Sequence, residues 1–214
     1  MTKYFKELAY VSVLIFFYQG VSNAVFGITG QFAHQAGKDW VGPLFLAMLF
    51  LGCGLGSIYN KYIGRYQYNL TFFVGGFGNA LYILMELVLI EVPLSLWVIL
   101  MLAVGGFVSG LIASIFFNSF FNFINVLSKI DGKEVQYFGI AFLGCQGSGL
   151  FGNLLSSLLI VPLGQLKYII TMTGIVVFFC LLFLRVKTPN EQDELVEEKE
   201  KEKEKEKEAS AESA

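Results

Sequence analysis

The sequence predicts an all-α integral membrane bundle of about six transmembrane helices. Hydrophobic residues make up 55% of the 214-residue chain and charged residues only 15%, which leaves too little polar surface for a soluble domain. Eleven of the seventeen acidic residues fall in the last 24 positions, so the preceding chain is nearly uncharged. Lipid, rather than water, is therefore the expected solvent of most of this chain.

Six apolar runs are long enough to span a bilayer. A helix needs about 20 apolar residues to cross a hydrocarbon core roughly 30 Å thick, in which the backbone finds no hydrogen-bonding solvent. The runs are approximately Leu8–Phe32, Val41–Tyr59, Leu70–Ile90, Leu94–Phe117, Phe138–Val161 and Tyr168–Leu184. The first is longer than the core of a signal peptide and is expected to remain as a membrane anchor.

The distribution of basic residues predicts the orientation of these spans, because positively charged connections stay on the cytoplasmic side. One side of the predicted bundle carries eight of them: Lys3, Lys6, Lys61, Arg65, Lys129, Lys133, Arg185 and Lys187. The other side carries only Lys38 and Lys167. Both termini are therefore predicted to be cytoplasmic.

Two segments outside the spans have distinct predictions. The fourth connection, Asn118–Gln136, is the longest, and its Phe120, Phe121, Phe123, Ile124 and Leu127 suggest an amphipathic stretch at the membrane surface. The chain is divided into a transmembrane domain, residues 1–187, and a Glu/Lys-rich cytoplasmic tail, residues 188–214. The tail has no apolar face to bury and is predicted to be disordered, with an acidic partner-docking segment as the alternative.

Polar residues inside the spans are the candidate functional residues, because they are costly against lipid. In the first run Gln19 and Asn23 share a face, and in the fifth Gln146, Asn153 and Ser156 follow helical spacing. Such stripes either hydrogen-bond neighbouring helices or line a hydrated pathway. The many glycines in the same runs favour close helix packing.

Glu86 is the acidic residue that lies well inside a predicted span, about one turn from its exoplasmic end. A carboxyl group in the membrane is a candidate for cation or proton coupling. The alternative is that its side chain extends to interfacial water, which its depth favours.

The sequence lacks the patterns that carry enzymatic chemistry. It contains no histidine pair, no Cys-x-x-Cys motif, no glycine-rich phosphate loop and no Ser/His/Asp set, and His34 is its single histidine. We therefore expect no catalysis, no metal and no cofactor. Basic residues in the tail are outnumbered by acids, so binding to nucleic acid is not expected either.

The fifth run resembles the fifth-helix signature of the Unc-ninety-three-like family, the ion-channel-regulatory branch of the major facilitator superfamily. The matching positions are Tyr137, Phe138, Gly139, Ile140, Phe142, Gln146, Gly152, Asn153, Leu154, Ser156 and Ser157. The resemblance covers roughly residues 8–187, in the order of the family's N-terminal six-helix half, with no counterpart of the second half. It implies half of a major-facilitator-type fold, built from inverted three-helix repeats.

A second segment, between the second and third runs, resembles the cytoplasmic loop motif of the same superfamily. Its residues are Gly56, Asn60, Lys61, Gly64 and Arg65. Asn60 stands where the motif has Asp, and one extra residue precedes Gly64, so the charge-based gate of that motif is not implied here.

Three functional hypotheses follow. The first, implied by the resemblance, is a non-catalytic regulatory or trafficking partner of a channel or another membrane protein. The second is a small-solute or ion transporter, working as a homodimer of six-helix halves with the two polar stripes facing a shared cavity. The third is a structural subunit of a large membrane complex. All three place the chain in a lipid bilayer, and none of them identifies which membrane.

Overall fold

The computed structural model describes residues 3–59 and 67–187, and these residues form six α-helices and no β-strand. The helices are α1 (Lys3–Phe26), α2 (Thr29–Gln35), α3 (Val41–Tyr59), α4 (Tyr68–Glu91), α5 (Leu96–Asp131) and α6 (Glu134–Phe183). Taking α1 and α2 as one, the described residues contain five helical segments that are long and apolar enough to cross a membrane. The prediction of an all-α membrane bundle is confirmed.

The predicted fifth and sixth spans are the two arms of α6. The backbone at Gly164 is non-helical, with φ 70° and ψ 162°, and Pro162 lies just before it. The arms, residues 134–163 and 165–183, fold back on each other, since the hydroxyls of Ser156 and Tyr168 are 3.0 Å apart. Glycine adopts this positive φ without strain, so the chain reverses here without a loop.

The predicted first span is broken rather than continuous. α1 ends at Phe26 and α2 begins at Thr29, with a turn at Gly27 and Ile28. At the break the Ile28 amide donates to the carbonyl of Val25 at 3.0 Å. The Ala24 carbonyl, which an uninterrupted helix would pair with Ile28, accepts instead from the Ser156 hydroxyl at 2.9 Å.

The prediction of a long fourth connection with a surface stretch is wrong. α5 continues to Asp131, and the turn to α6 consists of Gly132 and Lys133. Phe123 is fully buried, and its ring centroid lies 5.2 Å from that of Tyr68 in α4. The apolar side chains of this segment face the bundle, because α4 begins beside them. At 36 residues α5 is about 54 Å long, more than a bilayer core requires.

The contacts among the six spans are symmetric. If the first, second and third spans are exchanged with the fourth, fifth and sixth, the same pairs of spans are in contact. α1 packs on the first arm of α6, as α5 packs on α3. α4 packs on α5, as the second arm of α6 packs on α1 through the stacked rings of Phe17 and Phe179. α4 and the second arm meet across the centre, at Phe72 and Phe183. The bundle therefore consists of two three-helix units that pack on each other symmetrically.

Glycines allow the two equivalent crossings to be close. Where α3 crosses α5, a Cβ on Gly52 would overlap the Phe107 carbonyl oxygen, and one on Gly110 would overlap that of Leu49. Where α1 crosses α6, a Cβ on Gly152 would lie 2.5 Å from the Gly20 carbonyl oxygen. Because the atoms in the way are backbone, no side-chain movement can make room. The prediction that glycines serve helix packing fits these contacts.

We predict that Gly52→Ala destabilises the bundle, because the added methyl group must push α3 away from α5. Overpacking of this kind costs about 1–3 kcal/mol. Thermal unfolding of the purified protein in mild detergent measures the loss. Gly54→Ala is the matched control on the same helix, since a Cβ there meets nothing within 4 Å. Equal stability of both variants would contradict a tight α3–α5 crossing.

Candidate functional site

A column of buried polar groups joins α1 to α4. The Tyr18 hydroxyl donates to the Gly76 carbonyl at 3.1 Å, and the Ser22 hydroxyl donates to the Tyr18 carbonyl at 3.1 Å. The Asn79 amide then donates to the Ser22 hydroxyl at 3.2 Å. Sequence reasoning missed Tyr18, Ser22 and Asn79, although an amide at position 79 within an apolar run was a usable signal.

The column ends near Glu86, which is fully buried. Glu86 Oε1 lies 2.5 Å from the Thr29 hydroxyl, and Thr29 is the first residue after the break in the first span. The Tyr82 hydroxyl lies 3.5 Å from the same Thr29 oxygen. The expectation that Glu86 extends to interfacial water is therefore wrong, because α2 folds over the carboxyl group and holds it inside the bundle.

The second carboxyl oxygen of Glu86 has no hydrogen-bond partner among the described residues. The walls of the site are aromatic, since the ring of Tyr82 stacks on Phe45 at 4.1 Å and meets Phe26 edge-on at 5.0 Å. Lys38 is the basic residue on the loop after α2, and its ammonium group donates to the Leu94 carbonyl at 2.8 Å. The site is thus a carboxyl group with hydroxyl neighbours in an apolar enclosure.

The predicted polar stripes of the first and fifth spans lie side by side, since α1 and the first arm of α6 are in contact. The Gln19 amide donates to the Asn23 side chain at 3.4 Å, and the Asn23 amide donates to the Ser148 hydroxyl at 3.1 Å. Ser156 is buried and bonds the Ala24 carbonyl at the break. Asn23 and Ser156 therefore bond across helices, whereas Gln19 bonds within α1.

Gln146 and Asn153 make none of those hydrogen bonds and are exposed beside them, with Asn153 Oδ1 near the turn at Gly27. Together with four other residues they form a strip along α6 that we call the outer face. Its successive members are three or four residues apart, so they lie on one side of the helix. Its members are Phe142, Gln146, Leu150, Asn153, Ser157 and Val161. The apolar members project strongly, with Leu150 80% exposed and Val161 84% exposed.

A groove of about 430 Å³ runs beside the half of the outer face that is nearer to Gly132, between α5 and α6. It is lined by aromatic rings that include Phe117, Phe121, Phe138 and Phe142, and Gln146 closes one end. Aromatic walls with one amide suit an apolar side chain that carries a polar tip.

The loop motif is only partly within the described chain. Gly56 lies in α3, where a Cβ would meet the Ser114 side chain of α5, so it serves the same crossing as Gly52. Asn60, Lys61, Gly64 and Arg65 lie outside the described residues, as does the tail at residues 188–214. His34 lies in α2 and is exposed, with its Nδ1 2.9 Å from a carboxyl oxygen of Asp39.

These features define a class of protein, a multi-pass all-α membrane protein with one polar site enclosed in its bundle and one polar strip on its surface. Comparison of the chain with protein-family models, with curated proteins and with solved structures finds no match.

We predict that Ser22 and Asn79 couple α1 to α4 energetically. A double-mutant cycle with Ser22→Ala and Asn79→Ala, measured by unfolding in detergent, should give a coupling free energy of about 0.5–2 kcal/mol. Ser157→Ala with Asn79→Ala is the control pair, because Ser157 bonds its own helix at the Asn153 carbonyl. A coupling near zero for the first pair would contradict the bond across the two helices.

Proposed function

We propose that this chain is a non-catalytic multi-pass membrane protein that regulates or escorts another membrane protein by binding it. The observation that carries the proposal is the exposure of Gln146 and Asn153 on the outer face of α6. Both lie in the run that resembles the ion-channel-regulatory branch of the major facilitator superfamily. The proposed occupant of the face is a transmembrane helix of the partner.

The physical argument is the cost of amides in lipid. An amide side chain facing hydrocarbon has no hydrogen-bond partner, whereas one facing a second helix can exchange bonds with it. The spacing of the outer face matches the meshing of two helices, with Leu150 between the amide positions to fill the contact. The neighbouring groove gives an aromatic partner side chain a place to insert.

The packing of the spans supports the proposed relation to half of a major facilitator. Each six-helix half in that superfamily consists of two inverted three-helix repeats. In this chain the crossing at Gly52 and Gly110 has its counterpart at Gly20 and Gly152, as such a repeat requires. In full members a second bundle faces the first, so an outer face with polar groups is what a half-bundle offers to a partner.

The proposed orientation places both termini in the cytoplasm, on the charge distribution given above. The exposed rings of Trp40 and Trp97 lie near the starts of α3 and α5, at the opposite end of the bundle from Lys129 and Lys133. Tryptophan prefers the interface, which is consistent with the membrane boundary lying at that end.

We predict that a fluorescent protein fused after Ala214 fluoresces in intact cells, because the fused domain stays in the cytoplasm. A glycosylation acceptor inserted between Gly37 and Asp39 should be modified, since that connection is exoplasmic in this orientation. Glycosylation in the Gly132 turn is the control and should not occur. The reverse pattern would overturn the orientation.

The alternative function is a small-solute or ion transporter that works as a homodimer. The buried carboxyl group of Glu86 favours it, because such groups occur in ion and proton pathways. However, Glu86 is bonded by Thr29 of α2, whereas Asn23 of α1 bonds Ser148 of α6. A cavity shared by two copies of the chain would therefore contain Gln146 and Asn153 but not Glu86.

We predict that the double variant Gln146→Leu, Asn153→Leu weakens binding of the partner. Two interhelical amide bonds, each worth about 0.6 kcal/mol, correspond to nearly a tenfold loss of affinity. The measurement is light scattering of the complex extracted in mild detergent, with the mass corrected for bound detergent, over a dilution series.

Thr171→Val is the matched control, because Thr171 is an exposed polar residue on the second arm of α6, away from the outer face. A fixed complex with a different membrane protein that the double variant loses supports the proposal. A homodimer that the double variant loses supports the transporter. A monomer that binds no other protein at any concentration contradicts both.

A further inference from the structure

The hydrogen atoms around Glu86 constrain its chemical form. Thr29 carries one hydroxyl hydrogen, and its oxygen lies 2.5 Å from Glu86 Oε1 and 3.3 Å from the Val25 carbonyl. The carbonyl can only accept. Because the contact with Glu86 is the shorter one, the Thr29 hydrogen is directed to Oε1, and the chemical form of the carboxyl group depends on its second oxygen.

The second oxygen of Glu86 favours the carboxylic acid over the carboxylate. Oε2 is buried and has no hydrogen-bond partner among the described residues. Leaving a neutral oxygen unpaired in an apolar enclosure costs about 1–3 kcal/mol, whereas an unpaired carboxylate costs several times more. A proton on the carboxyl group removes most of that penalty.

The elements packed around the site supply no compensating cation. α3 contains no charged residue, and the charged residues of α5, Lys129 and Asp131, are at its far end. Apart from the buried Tyr82, the charged or titratable groups of the described chain at the Glu86 end of the bundle are His34, Lys38, Asp39, Glu91 and Lys167. Four of these are exposed, and Lys38 is bonded to the Leu94 carbonyl.

A second, independent feature of the backbone points to a binding site. The first span breaks at Gly27 and Ile28, directly before Thr29. Interrupted helices at membrane depth are the usual way in which transport proteins place polar groups around a bound ion. Here the break turns Thr29 towards Glu86, and its short second part, α2, covers the carboxyl group.

We propose that Glu86 is a proton-binding site, at which a buried carboxylic acid accepts a hydrogen bond from Thr29 and exchanges its proton past the break in the first span, on the side that is exoplasmic in the proposed orientation. The ligand is a proton rather than a metal cation, because one carboxyl group with two hydroxyl neighbours supplies too few ligands for a metal ion, and the described residues contain no group of three His, Cys, Asp or Glu that could hold one. The proposal does not rest on the partner face, since Glu86 of α4 contacts Thr29 of α2 and the outer face lies on α6.

Infrared spectroscopy of the purified full-length chain at neutral pH tests the proposal. The wild-type protein should show the carbonyl band of a protonated carboxylic acid, because the exposed acids are ionised and do not contribute. Glu86→Gln should remove the band. Glu91→Gln is the matched control, since Glu91 is an exposed acid on the same helix, and the band should persist in it. Transfer to D₂O should shift the band as the proton exchanges.

Two further measurements keep the test valid if Glu86→Gln fails to fold. Glutamate labelled with ¹³C should lower the frequency of the wild-type band, which assigns it to a glutamic acid. Thr29→Val should raise the frequency, because the acid loses the hydrogen bond that Thr29 donates to it, whereas Thr173→Val should not, since Thr173 bonds the Ile169 carbonyl.

The absence of the acid band from the wild-type protein would overturn the proposal, as would a band that survives in folded Glu86→Gln. A band that appears only after sodium and potassium are removed would overturn it in favour of a metal-cation site. A band that does not shift after overnight incubation in D₂O would refute exchange with the exoplasmic side.

Discussion

The structure depends on one constraint, that lipid supplies no hydrogen bonds, so polar groups in a span must find their partners within the protein, on their own helix or on a neighbouring one. Tyr18, Ser22 and Asn79 meet it by bonding across α1 and α4. Asn23 meets it by bonding Ser148 across α1 and α6. α1 is thus fixed in rotation by polar contacts on two sides, and its break at Gly27 is accommodated because Ser156 bonds the freed Ala24 carbonyl.

The same constraint explains why the close crossings occur where they do. Short bonds between small polar side chains require backbones to approach closely, and glycine is the residue that permits it. Gly20 and Gly152 bring α1 against α6 at the level of Asn23 and Ser148. Gly76 makes room for the Cys180 side chain on the second arm of α6, and its carbonyl accepts from the Tyr18 hydroxyl. Packing and polar pairing are therefore a single arrangement in this bundle.

Most of the fold could be predicted from the sequence, because the length of an apolar run is set by bilayer thickness. The fourth connection was mispredicted since Asn118, Asn122 and Asn125 interrupt the run and resemble a loop, although Phe123 and Leu127 pack inward. Helical spacing placed Gln146, Asn153 and Ser156 in one stripe. It could not show that α1 divides the stripe, burying Ser156 and leaving both amides outside, because a neighbour's position is not encoded in local spacing.

The burial of Glu86 could not be inferred from its distance to the helix end alone. A carboxyl group one turn from a helix end reaches water only if the neighbouring chain leaves a path, and α2 closes that path. The enclosure exists because the first span bends at Gly27 and Ile28, and that break also holds Ser156 at the α6 contact. The break therefore adjoins both polar sites. Any movement of α2 that uncovered Glu86 would begin at the turn where Ser156 anchors α1 to the helix that carries the outer face.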